Sequence, residues 1–258
     1  QKQQPIYSGA KINPLYTNAY LLSNTDKGYK YSLTAQVSKS LPFGLDMMVA
    51  YTYGRSKDIA NGIRNSMESN WQLNQALSPN NPGLAYSNFD IRNRIISTIN
   101  YRLDWFKNNK YVSNFSLFFS GQSGSPYSLG LVNTRINGTG QTVSLMYVPA
   151  VGETTKFFAN TTDGIAQAAA FDSYINGDKY LSTRRGNFTE RNGARTPWNV
   201  QADFRFAQDI QVAKGKHPHV LTLTYDIINL TNLVNKDWGI QYFSPNTFNS
   251  MASMGIKV

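Results

Sequence analysis

The feature that most constrains the fold is an alternating run of side chains at residues 219–229. Its apolar row is Leu221, Leu223, Tyr225 and Ile227, and its polar row is Thr222, Thr224 and Asp226. Strict alternation over this length predicts a β-strand with one apolar face. The run is also about as long as a tilted strand must be to cross a bilayer. The fold therefore depends on whether the rest of the chain repeats this pattern.

The alternation recurs along the chain, and it predicts about eight strands. They cover residues 19–23, 29–39, 45–53, 94–103, 111–119, 198–206, 219–229 and a last segment that begins near Met251. The apolar positions of that last segment are Ala252, Met254, Ile256 and Val258. The opposite strand faces carry lysine, aspartate, arginine, asparagine and glutamine. This pattern predicts an all-β fold, an antiparallel up-and-down transmembrane β-barrel.

The connections between the strands alternate in length from residue 39 onward. Short turns at 39–44, 104–110 and 211–218 alternate with long polar connections at 54–93, 121–197 and 230–249. Outer-membrane barrels keep short turns in the periplasm and long loops outside the cell, so the long connections are predicted to be extracellular. The second long connection is predicted to contain a helical turn at 165–170 and to be otherwise irregular or a loop hairpin. Tyrosine and tryptophan gather at strand ends, as in the aromatic girdles of such barrels.

A soluble β-sandwich also alternates and also contains many aromatic residues, so composition and loop length have to separate the two folds. Charged residues make up only 16% of the chain, which is low for a soluble surface. The polar strand faces and the long loops favour a barrel in the cell outer membrane, in contact with lipid. The net charge of +10 is dispersed among turns and loops, so nucleic-acid binding is not predicted.

An ordered series of segments in the chain resembles a known family. The series is 119–127 (FSGQSGSPY), 147–149 (YVP), 180–186 (YLSTRRG), 190–198 (ERNGARTPW), 226–239 (DIINLTNLVNKDWG) and 254–258 (MGIKV). Together these segments resemble the C-terminal barrel region of TonB-dependent outer-membrane receptors. The likeness is greatest to the Oar-like branch, whose members often carry a carboxypeptidase-regulatory-like domain. It runs from about residue 29 to residue 258.

The resemblance implies a barrel of about 22 strands that is filled by an N-terminal plug domain. It also implies energised nutrient uptake driven through TonB, with a surface lipoprotein as a further partner. The sequence contains no plug domain and no TonB-contacting box. Residues 1–258 are therefore expected to be a C-terminal part of the barrel, with the plug and the TonB contact in the same full-length protein.

Two sets of polar residues are candidates for function. Arg184, Arg185, Arg191, Arg195 and Trp198 cluster in the second long connection and are the predicted substrate-binding set. Guanidinium groups bind carboxylate or phosphate in a bidentate way, which suits an anionic substrate. The same arginines would alternatively fold the loop by pairing with Glu190, Asp172, Asp178 and backbone carbonyls.

The second set consists of polar residues that are predicted to face the barrel lumen. Its members are Asp46, Arg94, Arg102, Asp203, Arg205 and Asp226. The aspartates are expected to pair with the arginines inside the barrel or with the plug, rather than to bind substrate.

No catalytic or metal-binding residue is predicted, and no cofactor is expected. His217 and His219 lie at a predicted periplasmic turn, away from any serine or carboxylate arranged with them. The chain has no cysteine, which excludes disulfides and thiolate metal sites. The sequence therefore favours a non-enzymatic transporter component. The alternative is a soluble or surface-attached β-rich adhesin or binding module, whose long loops bind glycan or protein.

Overall fold

The computed structural model describes residues 3–7, 10–11, 13–60, 66–132, 141–213, 219–244 and 251–253. Its strands, in chain order, are β1 (Tyr29–Leu41), β2 (Leu45–Asp58), β3 (Ala85–Tyr86), β4 (Asn93–Asp104), β5 (Tyr111–Gln122), β6 (Pro126–Val132), β7 (Val143–Leu145), β8 (Tyr147–Val148), β9 (Asn187–Phe188), β10 (Ala194–Arg195), β11 (Asn199–Ala213), β12 (His219–Ile227) and β13 (Met251–Ser253). Its α-helices are α1 (Met67–Gln72), α2 (Thr162–Gly177) and α3 (Leu230–Val234). Two 3-10 helices cover Thr154–Phe157 and Leu181–Arg184.

Six long strands form one antiparallel sheet in the order β1-β2-β4-β5-β11-β12, which we call the wall. Each wall strand pairs with the next wall strand in the chain, so the wall is an up-and-down meander. The all-β antiparallel architecture predicted from the alternation is therefore confirmed. Within the described residues, β1 and β12 do not pair with each other, so the wall is an open arc.

The register of the wall separates an apolar face from a polar face. One apolar row crosses all six strands through Leu41, Leu45, Tyr101, Phe115, Phe206 and Tyr225. The neighbouring polar row crosses them through Ser40, Asp46, Asn100, Ser116, Arg205 and Asp226. Directly opposite residues in an antiparallel pair lie on the same face, so the two rows belong to opposite faces.

Large apolar side chains on the apolar face lie uncovered at the surface. Leu33 is 72% exposed, Val37 is 74% exposed and Leu223 is 56% exposed. A soluble sheet would cover such a face with a second layer, whereas a membrane barrel turns it towards lipid. The exposed face is what the wall of an outer-membrane barrel requires.

Aromatic side chains lie at both ends of this apolar face. At the loop end Tyr29 stacks on Tyr31 with ring centroids 6.1 Å apart, and Tyr31 lies 6.2 Å from Tyr53. At the short-turn end the indole of Trp105 donates a hydrogen bond to the hydroxyl of Ser113 at 2.8 Å. The ring of Tyr111 lies against the ring of Phe106. Rings with a polar tip suit the interface between lipid and water, so this placement agrees with two aromatic girdles.

The short turns keep the wall strands in register. Gly44 ends the turn between β1 and β2 with φ +88°, a conformation that favours glycine. A Cβ at this position would also overlap the backbone carbonyl of Arg102 on β4. The turn at 104–110 is closed by Asp104, whose carboxylate accepts the backbone N–H groups of Phe106 and Asn109. The predicted turn around 214–216 lies outside the described residues.

Three predictions about elements are wrong in detail. Residues 19–23 belong to no strand. The helical turn predicted at 165–170 is the middle of the 16-residue helix α2, which Thr161 caps by accepting the backbone N–H of Gly164. The segment that begins at Met251 pairs in parallel with β6 rather than with the wall, while Met254, Ile256 and Val258 lie outside the described residues. The wall therefore has six strands, compared with the eight counted from alternation.

Within the described residues, no helix is both long and apolar enough to cross a membrane.

Candidate functional site

The two long connections between wall strands fold together into what we call the loop module, the described residues of 59–92 and 123–198. It contains a hydrophobic core formed by Leu129, Met146, Val148, Ile175, Leu181 and Ala194. These side chains come from β6, β8, β10, α2, the second 3-10 helix and the residue that links β7 to β8. Outside one helical turn, the second connection was predicted to be irregular or a loop hairpin. The antiparallel pairing of β6 with β7 agrees with the hairpin, whereas the hydrophobic core that includes α2 was not predicted.

Arg184 and Arg185 lie at the edge of this core, and both pair with other residues of the second connection. Arg184 donates to the backbone carbonyl of Phe188 through Nε at 3.0 Å and pairs with Glu190 at 3.0 Å. Arg185 pairs with Asp172 on α2 at 2.7 Å. The hydroxyl of Thr154 and the guanidinium of Arg185 both lower the pKa of Asp172, so this carboxylate stays charged over the neutral range. Both arginines therefore fasten the second connection to itself.

Arg191 and Arg195 instead join the second connection to the first one. The side chain of Arg191 is 2% exposed, and its Nη2 lies 2.5 Å from the carboxylate of Asp58 at the end of β2. Arg195 pairs with Asp90, whose side chain is fully buried. Burial lowers the pKa of both arginines, and the carboxylates oppose that effect. Buried charges of this kind persist only with close partners, so these pairs connect the two loops tightly.

Neutral hydrogen bonds reinforce the same junction between the loops. The side-chain amide of Asn192 donates to the carbonyl of Tyr86 and to the side chain of Asn88, each at 2.7 Å. The backbone N–H of Asn192 donates to the hydroxyl of Ser128, which in turn donates to the buried side chain of Gln75. The first and second connections are therefore one folded unit above the wall.

Tyr180 is another polar group inside the loop module, where it is partly buried against the hydrophobic core. Its hydroxyl accepts the backbone N–H of Glu190 at 2.6 Å. Burial raises the pKa of Tyr180 to about 12, so the phenol remains neutral below strongly alkaline pH. Asp178, two residues earlier, accepts the backbone N–H groups of Tyr180 and Leu181. Asp178 thus starts a 3-10 helix, and none of the ion pairs found in the described residues includes it.

Positive charges gather around the ring of Tyr86 at the junction. The ammonium of Lys57 lies 4.7 Å from the ring centroid, and the guanidinium carbons of Arg92 and Arg195 lie 4.3 and 5.7 Å from it. Lys57 and Tyr86 are direct partners in the β2–β3 pair, so the backbone sets this approach. Cations above an aromatic face are attracted by its negative potential.

A cavity of about 250 Å³ opens beside this cluster, between the two connections. Its charged lining residues are Lys57, Arg184, Glu190 and Arg191. Its apolar lining includes Leu77, Leu84, Tyr86 and Phe188. Concave sites that combine apolar walls with a few polar groups are where small ligands bind. This cavity is therefore the candidate functional site.

The structure places the residues of the predicted substrate-binding set in different surroundings. Arg184 and Arg191 line the cavity, whereas Arg185 and Arg195 lie in ion pairs outside its lining. Trp198, just before β11, is 46% exposed. The internal pairs with Glu190 and Asp172 match the alternative that these arginines fold the loop. Substrate binding by the set stays a prediction.

Sequence reasoning missed Lys57, Tyr86, Asp58 and Asp90, which the structure brings to the junction. Asp58 and Asp90 lie 133 and 105 residues before the arginines with which they pair. The strand β2 continues past residue 53 to Asp58, but residues 54–58 (GRSKD) contain no apolar alternation that could have extended the predicted strand to Lys57. No periodicity specifies the partner across such a separation.

All six residues predicted to face the lumen lie on the polar face of the wall. Arg205 pairs with Asp226 through Nε at 2.6 Å, as expected for directly opposite residues. Arg102 donates to the side chain of Asn109, and Asp203 accepts the backbone N–H of Asn229. Neither Asp46 nor Arg94 forms an ion pair within the described residues. That this face lines a lumen stays a prediction.

The open antiparallel meander, its exposed apolar face and its aromatic girdles define an outer-membrane β-barrel wall. A comparison with protein families agrees: the chain matches the model described as outer membrane beta barrel domain over residues 1–256. The chain belongs to that family, and its place is the outer membrane, in contact with lipid. Neither the comparison with curated proteins nor that with solved structures finds a match.

Proposed function

We propose that the chain is part of a TonB-dependent outer-membrane transporter that takes up a scarce nutrient with energy delivered through TonB. The observation that carries this proposal is the open wall, whose edge strands β1 and β12 each have one unpaired side in the described residues. Unpaired backbone groups are not tolerated in lipid, and transmembrane barrels need about eight strands or more. Six strands therefore suit one arc of a larger barrel.

The ordered segments that resemble TonB-dependent receptors support the same proposal. In it, residues 1–258 supply a C-terminal arc of a barrel of about 22 strands. A plug domain of the same protein fills the lumen and contacts TonB, and a surface lipoprotein is a further partner. The polar face with Asp46, Arg94, Arg102, Asp203, Arg205 and Asp226 lies towards the plug. The protein is not an enzyme in this account.

The proposed orientation puts the loop module outside the cell. The short turns, such as 104–110, are then periplasmic, in keeping with the usual asymmetry of bacterial barrels. This orientation exposes the cavity between the loops to the medium, where a nutrient would arrive.

Growth on a panel of scarce nutrients tests the transport proposal. A strain that lacks the gene and a strain that lacks TonB should share a growth defect on one nutrient, and the intact gene should restore growth only where TonB is present. If cells bind ligand through this protein but show no TonB-dependent uptake of any nutrient, the transport proposal fails.

That last outcome would support a surface-attached binding module instead. The observation that favours this second candidate is the loop module itself, which has its own hydrophobic core and buried ion pairs. Such a unit is able to present a binding surface without any transport through the barrel.

A further inference from the structure

The charges that line the cavity leave one cation without a counter-charge. Glu190 offsets Arg184 at 3.0 Å, and Asp58 offsets Arg191 at 2.5 Å. The ammonium of Lys57 forms no ion pair with a carboxylate anywhere in the described residues. It lies over the ring of Tyr86, 4.7 Å from the ring centroid. The wall of the cavity therefore carries an excess of positive charge at Lys57.

The surroundings of Tyr86 increase this excess. Arg92 and Arg195 share the single buried carboxylate of Asp90. The Nε atoms of Arg55, Arg92 and Arg195 are buried and have no hydrogen-bond partner. These arginines do not line the cavity, so they raise the positive potential beside Lys57 without contacting a ligand there, and that potential favours a bound anion.

The remaining lining of the cavity is largely apolar and indicates the rest of the ligand's chemistry. Leu77, Leu84 and the rings of Tyr86 and Phe188 line it. A volume of about 250 Å³ is somewhat below the roughly 300–1,000 Å³ of sites for drug-sized ligands. A single six-membered ring with one charged substituent suits a site of this size and lining.

We propose that the cavity binds a small ring-bearing carboxylate. The carboxylate contacts the ammonium of Lys57, and the ring packs against Tyr86, Phe188 and the leucines. Glu190, the one carboxylate that the described residues contribute to the lining, repels the ligand's negative charge and so limits its affinity. The inference rests on the proposed function only for what happens to the ligand after binding.

Titration calorimetry on the full-length protein in detergent tests the site without any need for uptake. The probes are glucuronate, whose ring is a sugar, and benzoate, whose ring is aromatic, each compared with its neutral counterpart, glucose or benzyl alcohol. At least one carboxylate should bind, and its neutral counterpart should bind at least about tenfold more weakly, since a charged hydrogen bond is lost. The carboxylate that binds more tightly identifies the kind of ring.

Two substitutions change the affinity in opposite directions. Lys57→Met should weaken carboxylate binding by about tenfold. Glu190→Gln should strengthen it by about twofold to fivefold, because it removes a nearby negative charge. A misfolded protein would not bind more tightly, so Glu190→Gln separates an effect on charge from a loss of structure. Lys179→Met, at an exposed lysine that does not line the cavity, is the matched control and should leave the affinity unchanged.

The proposal is overturned if neither carboxylate binds, if the neutral counterparts bind equally well, or if Lys57→Met and Lys179→Met behave alike. These outcomes are distinct from a failure of the transport proposal. Carboxylate binding without TonB-dependent uptake leaves the site intact and refutes transport. Uptake of some other nutrient, without carboxylate binding, refutes the site alone.

Discussion

At the residue scale, the buried ion pairs of the loop module differ in kind from the exposed pair on the wall. The Arg195–Asp90 pair has a carboxylate that is 0% exposed, while the side chains of Arg205 and Asp226 are 60% and 43% exposed. Loss of one partner from a buried pair leaves an uncompensated charge in a medium of low polarity. Loss of one partner from an exposed pair leaves a charge that water solvates.

Asp90→Asn should therefore destabilise the loop module by roughly 3–5 kcal/mol. Hydrogen exchange of the backbone amides around Leu129 and Val148, in the core of the module, measures this loss directly. Asp226→Asn is the matched control, because it removes the same charge from an exposed pair, and it should leave the exchange of these amides unchanged. Equal exchange in Asp90→Asn and the unsubstituted protein would contradict the role given to the buried pair.

The raised pKa of Tyr180 predicts that the loop module loses stability at strongly alkaline pH. Its pKa is about 12 in the folded protein and about 10 in an unfolded chain, so the unfolded state loses its proton first as pH rises. Its contribution to stability is complete below pH about 10 and declines by up to roughly 3 kcal/mol between pH about 10 and 12.

Urea unfolding of the module, followed by the helical circular dichroism of α2, measures this decline. In Tyr180→Phe the decline from pH 10 to 12 should be smaller than in the unsubstituted protein, because the phenol that titrates is gone. Other tyrosines and lysines titrate equally in both proteins, so the difference between the two isolates Tyr180. Identical pH profiles would show that its phenol is not buried.

At the scale of elements, adjacent residues of β12 should respond very differently to the same substitution, because they lie on opposite faces of the wall. Leu223 lies on the exposed apolar face of the wall and Thr222 on the polar face. Leu223→Arg should cost roughly 2–4 kcal/mol of folding free energy in lipid, because an arginine near the bilayer midplane is poorly solvated. Thr222→Arg should cost much less, since its side chain points away from lipid. Urea titration in vesicles measures both, and equal costs would contradict the assignment of faces.

The wall was predictable from the sequence because its signal is local. Alternation gives both the existence of a strand and its two faces, and β1, β4 and β5 begin within a residue of their predicted starts. The loop module was not predictable in the same way. The 16-residue α2 has apolar and polar residues on all sides, so it shows little helical periodicity, and the partners of Arg191 and Arg195 are distant in sequence.

The candidate site shows the same division between local and distant information. Two of its cationic residues, Arg184 and Arg191, came from a charge cluster that is visible in the sequence. Lys57 and Tyr86 are brought together by the pairing of the end of β2 with β3, inside the first connection, which no local pattern in the sequence indicated. Residues 19–23 alternate over too short a run to specify pairing, and they remain outside the sheet.

At the scale of the whole molecule, the proposed orientation puts the loop module in the medium and the short turns in the periplasm. The chain has no cysteine, so single cysteines report their own position. Val151→Cys, at an 83% exposed site in the loop module, should react with a membrane-impermeant maleimide on intact cells. Asn108→Cys, in a short turn, should react only after the outer membrane is made permeable. The reverse pattern would invert the proposed orientation.

The central claim is that the wall is a lipid-facing arc of an outer-membrane barrel, and β12 tests it most directly. Spin labels placed one at a time at 221–227 in the full-length protein in membranes report access to oxygen, which concentrates in lipid, and to a water-soluble nickel complex. The account predicts high oxygen access at Leu221, Leu223, Tyr225 and Ile227, and low oxygen access at Thr222, Thr224 and Asp226. Low oxygen access at the four apolar positions, or no alternation at all, would contradict it.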